Sequence, residues 1–190
     1  MGIHEAASAA QAAAIPLAAV EATCRNRALA AIAEALKRNE QAIIKANEED
    51  LLNAEEADLA EPLRKRLKFD AAKIAQVRDG IQSLIQLTDP IGKTLRAMEL
   101  DSDLELYQVS CPIGVIGIIF ESRPDALVQI STLCLKSGNA VLLKGGSEAA
   151  QTNRILAHII AQATETAGVP AGWIQLMETR QDVAEMLSLD

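Results

Sequence analysis

Residues 113–120 read Ile-Gly-Val-Ile-Gly-Ile-Ile-Phe, eight positions without a polar side chain and without alternation. A strand wetted on one face alternates, so this run predicts a parallel strand buried on both faces. Glu121-Ser122-Arg123-Pro124 follows, placing charge where the strand ends and a proline in the first turn of a helix predicted over 124–137. Ser137-Gly138-Asn139 stops that helix, with Gly138 as its left-handed cap. Residues 140–144, Ala-Val-Leu-Leu-Lys, are again apolar up to the strand end, and Lys144-Gly145-Gly146-Ser147 forms the next turn. A helix over 148–167 closes at Gly168 and Pro170, a strand follows at 173–177, and a last helix spans about 181–189. Repeated strand–helix–strand units predict an α/β fold with a parallel, right-handed, doubly wound sheet. Ligands of such sheets bind beyond the carboxyl ends of the strands, so the turns at 121–124 and 144–147 are where chemistry is expected.

Before this lies a different pattern. Residues 4–88 read as helices. Thr23 is placed to cap a segment with apolar positions Leu29, Ile32, Ala33 and Leu36, and a more polar helix spans 40–57. Asp70 is the expected N-cap of 71–87, whose stripe is Ile74, Val77, Ile81, Leu84 and Ile85, and Thr88-Asp89-Pro90 ends it. Pro16 is expected to kink or break the first helix. From Gly92 to Ser110 the period becomes two, with a turn at Asp101-Ser102-Asp103, predicting an antiparallel hairpin that could pair between subunits. The organisation expected is therefore a helical region over 1–90, a hairpin over 91–112 as a possible oligomerisation element, and a nucleotide-binding α/β part over 113–190.

Charge and cysteines narrow the class. The net charge is −8 and aromatics are 2% of residues, which argues against nucleic acid or an anionic membrane surface as partner. No apolar stretch reaches membrane-spanning length. Residues 101–190 hold 5 basic against 11 acidic side chains, so an anionic ligand there must rely on a few placed cations, backbone amides and helix N-termini, here those after residues 123 and 147. Three cysteines without CxxC spacing and no signal peptide fit a reducing cytoplasm.

The first strand–helix turn lacks GxGxxG, so the ordinary dinucleotide fingerprint is missing. Lys144 has two readings: a contact to a nucleotide ribose or phosphate, with Gly145 and Gly146 letting backbone approach the ligand, or a solvated strand-end lysine beside glycines needed only for the turn. Arg123 either grips a carboxylate or phosphate or pairs with Glu121 or Asp125. The cluster Arg64-Lys65-Arg66-Leu67-Lys68 invites a phosphate but reads better as a solvated face. Cys111 precedes Pro112 at the wrong end of a strand, Cys134 reads as a buried inert thiol, Cys24 falls in an early helix, and His158 reads as a packed helix residue. No nucleophile or metal spacing is visible, and the catalytic set is empty.

The motifs IGVIG, E-x-R-P, LCLKSGNAV, K-G-G-x-E and GVPAGWIQ, in this order and preceded by TDPIG, resemble the γ-glutamyl phosphate reductases, also called glutamate-5-semialdehyde dehydrogenases, within the aldehyde dehydrogenase superfamily. The resemblance runs through EMLSLD and so covers the whole chain. It implies an aldehyde dehydrogenase-like fold and an NADPH-dependent reduction of L-glutamyl 5-phosphate to glutamate 5-semialdehyde and phosphate, through attack of a cysteine thiolate on the acyl carbon. It implies Lys144 at the adenosine ribose, with Gly145, Gly146 and Ser147 completing the cofactor turn. Ser147 falls where NAD-preferring relatives often carry glutamate, which favours NADP, although Glu148 stands beside it. By the resemblance Arg123 falls close to the position of an oxyanion-hole asparagine in ordinary aldehyde dehydrogenases, and the expectation drawn for it is binding of a substrate anion. Members of the family are much longer and carry their nucleophile in a further domain, so the sheet is expected to be incomplete and the chain alone inactive and poorly stable. The alternative is a non-catalytic nucleotide-binding or interaction module, or an inert truncated form.

Overall fold

The structure is a computed structural model, and it describes residues 2–188. Five helices come first: α1 (Ile3–Ala18), α2 (Ala22–Arg38), α3 (Glu40–Glu56), α4 (Glu61–Leu67) and α5 (Ala71–Gln86). A two-stranded antiparallel ribbon, β1 (Thr94–Asp101) and β2 (Leu104–Val109), follows. The remainder is β3 (Val115–Ile119), α6 (Pro124–Lys136), β4 (Ala140–Lys144), a 3-10 turn at Ser147–Ala149, α7 (Ala150–Thr166), β5 (Ile174–Met177) and α8 (Arg180–Met186). The final residue expected in the last helix, Leu189, lies outside the described residues.

Strands β3, β4 and β5 pair in that order, both pairs parallel. Right-handed crossovers stepping in one direction put α6 and α7 on the same face. Helix α1 lies across the strands on the other, so all five residues of β4 are buried. One cluster of buried side chains runs from Ile3 through Leu29, Ile74 and Leu135 to Trp173 and Met177. The indole Nε1–H of Trp173 donates to Thr164 Oγ1 at 2.8 Å, so the largest buried side chain brings no unpaired polar atom with it.

Four expectations change. Strand β3 is not sheathed on both faces: it has one described neighbour, Ile119 is 47% exposed and Ile113, outside the strand, 82%. Its unbroken apolar run reports an edge facing further partners as readily as a central strand. Helix α1 runs through Pro16, which sits in the last turn, where the Ala19 amide donates to the Pro16 carbonyl at 3.1 Å. Helix α2 begins one residue before Thr23; Glu21 is its N-cap, and the Thr23 hydroxyl donates to the Glu21 carboxylate at 3.3 Å. His158 is exposed on α7 instead of packed. Asp70 caps α5 as expected, accepting from the Lys73 amide at 3.0 Å.

The helical part is stitched to the strand–helix units by buried polar groups. Arg25, 2% exposed, donates from Nε to the Val20 carbonyl at 3.1 Å, from Nη1 to the Lys136 carbonyl and from Nη2 to Asp89 at 2.7 Å. Lys136 sends its ammonium to Asn26 Oδ1, the Ile85 carbonyl and the Leu87 carbonyl at 2.8, 3.2 and 2.9 Å. Three donors meet three acceptors on α2 and the end of α5. Burial pulls the Lys136 ammonium below the ordinary lysine range, with Asp89 opposing the shift and Arg25 adding to it.

Arg25→Ala takes a donor from Asp89 and from two carbonyls together. Asp89 is 32% exposed and keeps the Ile91 amide, so the expected cost in urea denaturation is about 1–3 kcal/mol, that of leaving buried acceptors without a donor.

Candidate functional site at the strand ends

Two turns meet at the carboxyl edge of the sheet. The β3 strand hands over at Phe120, whose amide donates to the Lys144 carbonyl at 3.0 Å, and this fixes the turn after β3 beside the turn after β4. Ser122 then adopts a left-handed φ of 46° and is 3% exposed. Non-glycine residues rarely hold that conformation unless their surroundings supply it. Here the supply is Glu148: its Oε1 accepts from the Ser122 amide and from the Ser122 hydroxyl, both at 2.6 Å.

Burial pushes the Glu148 carboxyl up. The hydrogen bonds from the Ser122 hydroxyl and from backbone amides, with the charge of Lys144, outweigh it and leave the group below its ordinary value. This clasp joins the two turns.

The glycines also make room for neighbouring side chains of the chain itself. A Cβ on Gly145 would run into the side-chain amide of Asn153, and one on Gly146 into the carboxylate of Glu148. Both glycines therefore clear space for the chain's own side chains. Asn153 is 3% exposed, and its Oδ1 is buried without a partner among the described residues. Lys144 is 6% exposed, and its ammonium donates to the neighbouring Gly145 carbonyl, which leaves donor capacity over. Ser147 is exposed at the mouth. Spare donors, an orphaned acceptor and an exposed hydroxyl are what a ribose diol or a ribose phosphate needs, so the residues present fit a nucleotide.

The N-terminus of α7 is not a vacant anion seat. The Asp50 carboxylate, 2% exposed on α3, accepts from the amides of Gln151 and Thr152 at 3.1 and 2.8 Å and from the Thr152 hydroxyl at 2.6 Å, so the start of α7 is already capped. Helix α6 opens on a proline that has no N–H, and Asp125 stands in its first turn. Arg123 pairs with Asp125 at 3.1 Å while its own side chain stays 54% exposed, and Glu121 is exposed. Within the basic cluster at 64–68, Lys65 pairs with Glu61 at 2.7 Å and Lys68 with Asp70 at 2.9 Å, and Arg64 reaches Glu55 only at 3.9 Å. Sequence reasoning missed Ser122, Asp50 and Asn153. The signal for Ser122 was its place between two charged residues after a strand; nothing local marks the other two.

None of the cysteines reaches this edge. Cys134 is buried in α6, and burial pushes its thiol up to about 11. Cys111 is exposed before β3, and Cys24 is half-buried with its Sγ 3.5 Å from the Ala167 carbonyl.

Residues 1–190 match the model of the aldehyde dehydrogenase family. The chain belongs to that family. Across all 190 residues it is 64% identical to the γ-glutamyl phosphate reductase of Acetivibrio thermocellus, covering 100% of this chain and 44% of that protein. A relative of the same name from Methanosarcina mazei is 50% identical over 183 residues, 94% of this chain and 41% of the relative. Among solved structures, the γ-glutamyl phosphate reductase of Thermotoga maritima superposes with a TM-score of 0.96 at 32% identity, covering 100% of this chain and 46% of that one. That of Saccharomyces cerevisiae gives 0.89 at 42% identity, covering 95% and 47%. The chain thus spans less than half the length of the relatives it matches, and it has the aldehyde dehydrogenase-like α/β architecture, a nicotinamide-dependent fold family. No helix among the described residues is long and apolar enough to cross a membrane.

The clasp makes stability sensitive to acid with a defined sign. The folded Glu148 titrates below its ordinary value of 4.5, so its stabilisation is complete above that pH and is lost as pH falls through the folded value. Thermal midpoints measured from neutral pH down through the carboxylate range should fall less steeply for Glu148→Gln than for the wild type.

Proposed function

We propose that this chain is the cofactor-binding part of an NADP-dependent reductase that converts L-glutamyl 5-phosphate to L-glutamate 5-semialdehyde and phosphate in proline biosynthesis. The observation that carries this reading is 64% identity, over the whole chain, to a relative bearing that enzyme's name. In such an enzyme the bound NADPH supplies the hydride. Lys144 holds the ribose with its spare donors, Gly145 and Gly146 shape the turn, and Ser147 offers a hydroxyl without charge beside a 2′-phosphate. Arg123, half in solvent with a single carboxylate partner, has donors left to grip the phosphate or carboxylate of glutamyl phosphate.

The acyl-transfer thiolate comes from outside these 190 residues, because Cys24, Cys111 and Cys134 all lie away from the strand ends; the isolated chain binds cofactor without turnover. Residues 1–90 brace the cofactor-binding part at 113–190. The free cysteines suit a cytoplasmic location.

The ribbon at 92–110 joins subunits in this reading. Leu95, Leu100, Leu104, Leu106, Tyr107 and Val109 are each about half exposed or more, and among the described residues β1 pairs only with β2. A lone two-stranded ribbon is marginal in water, so apolar side chains on it favour a partner, here a second copy.

NADPH titration followed by steady-state kinetics of the intact enzyme tests the site. Lys144→Ala should raise the NADPH Kd, and Arg123→Ala the KM for glutamyl phosphate, each on the order of 10- to 100-fold, the loss of a charged hydrogen bond. An Arg123→Ala enzyme with unchanged KM overturns the substrate assignment. Replacing Leu104 and Leu106 together by Lys should convert an oligomer to a monomer in sedimentation velocity with the far-UV spectrum unchanged.

A further inference from the structure

Glu148 lies four residues beyond Lys144, in the turn proposed to meet the cofactor ribose. A free carboxylate there would accept hydrogen bonds from an unmodified ribose and repel a ribose phosphate. It is not free. Its Oε1 is held by the amide and the hydroxyl of Ser122, 26 residues away in sequence and buried at the end of the neighbouring strand. The left-handed backbone of Ser122, φ 46°, lets one residue present both donors to one oxygen. Gly146 leaves the room in which the carboxylate folds back, because a Cβ at that position would occupy the carboxylate's place. With Glu148 drawn inward, exposed Ser147 is the side chain left at the mouth.

Resting on the NADP reading above, we propose that Ser122 is a specificity-determining residue: by tying Glu148 inward, it removes from the ribose site an acid that would discriminate against a 2′-phosphate. The preference for NADP over NAD then depends on a side chain that touches neither cofactor. Ser122 acts through Glu148, so the quantity it controls is the ratio of the two affinities. A purely structural clasp would change both affinities together.

The test is calorimetric titration of NADP+ and of NAD+ into the intact protein, its Ser122→Ala and Glu148→Gln variants, and the double variant. Ser122→Ala removes one of the two bonds to Glu148. It should shift the NADP+/NAD+ affinity ratio toward NAD+ by on the order of tenfold, as a carboxylate left with only the Ser122 amide swings out toward the 2′-phosphate. Glu148→Gln, uncharged whether tied or loose, should keep the ratio within about twofold of wild type, and the double variant should return to that value. Should Ser122→Ala fail to fold, Ser122→Gly keeps the left-handed backbone without the hydroxyl and carries the same expectation. Equal weakening of both cofactors by the serine variants, or a double variant that does not restore the ratio, overturns the proposal. A wild type that binds neither dinucleotide, or binds NAD+ the more tightly, overturns the NADP reading and this proposal with it, and the wild-type titrations alone report that outcome.

Discussion

Two buried cations hold this chain together. Arg25 and Lys136 lie on different helices, α2 and α6; Arg25 reaches the Lys136 carbonyl, and Lys136 reaches Asn26 and Ile85, across the gap between the helical N-terminus and the first strand–helix unit. A buried ammonium is tolerable only when every proton has an acceptor, and the carbonyls at 85 and 87 become available only where α5 has ended. The stop at Thr88-Asp89-Pro90 therefore does more than end a helix. It frees the carbonyls that receive Lys136 and delivers Asp89 to Arg25. The guanidinium in turn satisfies the Lys136 carbonyl, one of those the last turn of α6 would leave unpaired. Because α6 leads directly into β4, this clamp also sets where the strand carrying Lys144 begins.

From that anchor the strand-end site follows by transmission through rigid parts. Register between β3 and β4 puts Ile119 opposite Lys144, so the two turns leave the sheet at the same height. The Ser122–Glu148 clasp then couples them. On the far side of the second turn, Asn47 accepts from the Phe69 amide at 2.7 Å and donates to the Leu67 carbonyl at 2.9 Å and to Thr152 Oγ1 at 3.2 Å. Asp50, one turn along α3, completes the attachment of α7. The site is thus held by polar side chains belonging to four separate segments, none of them long flexible surface groups.

Much of this was legible in the sequence, and what was not has a common cause. Continuous apolar runs, helix stops at Gly138 and Gly168, the Asp70 cap and the hairpin turn are local signals. A few neighbouring residues fix the conformation, and strands, helices and the candidate turns at 121–124 and 144–147 could be read from them. Burial of β3 and of His158 could not, because an apolar run or a histidine between leucines does not say which neighbour covers it. The N-terminus of α7 looked like an anion seat because nothing near residue 150 reveals an aspartate a hundred positions earlier. Gly145 and Gly146 were legible as turn glycines, but the crowding of Asn153 and Glu148 against them was not. Reach between distant segments is what one-dimensional patterns lack.

The cap on α7 has a consequence for the order in which the chain assembles. Most helices carry their first hydrogen-bond acceptor within a residue or two of the start; α7 borrows its own from Asp50, 101 and 102 residues upstream of the amides it serves. Until α3 docks, those two amides and the Thr152 hydroxyl have only water, and the helix has no local nucleus at that end. Closing a loop of that length before the reward arrives is slow compared with forming the N-terminal helices. On a ribosome, α3 leaves the tunnel long before α7 exists and carries its buried acid unmatched in the interim. Protection of the Gln151 and Thr152 amides from hydrogen exchange is thus a clock for the moment when the two halves of the chain meet.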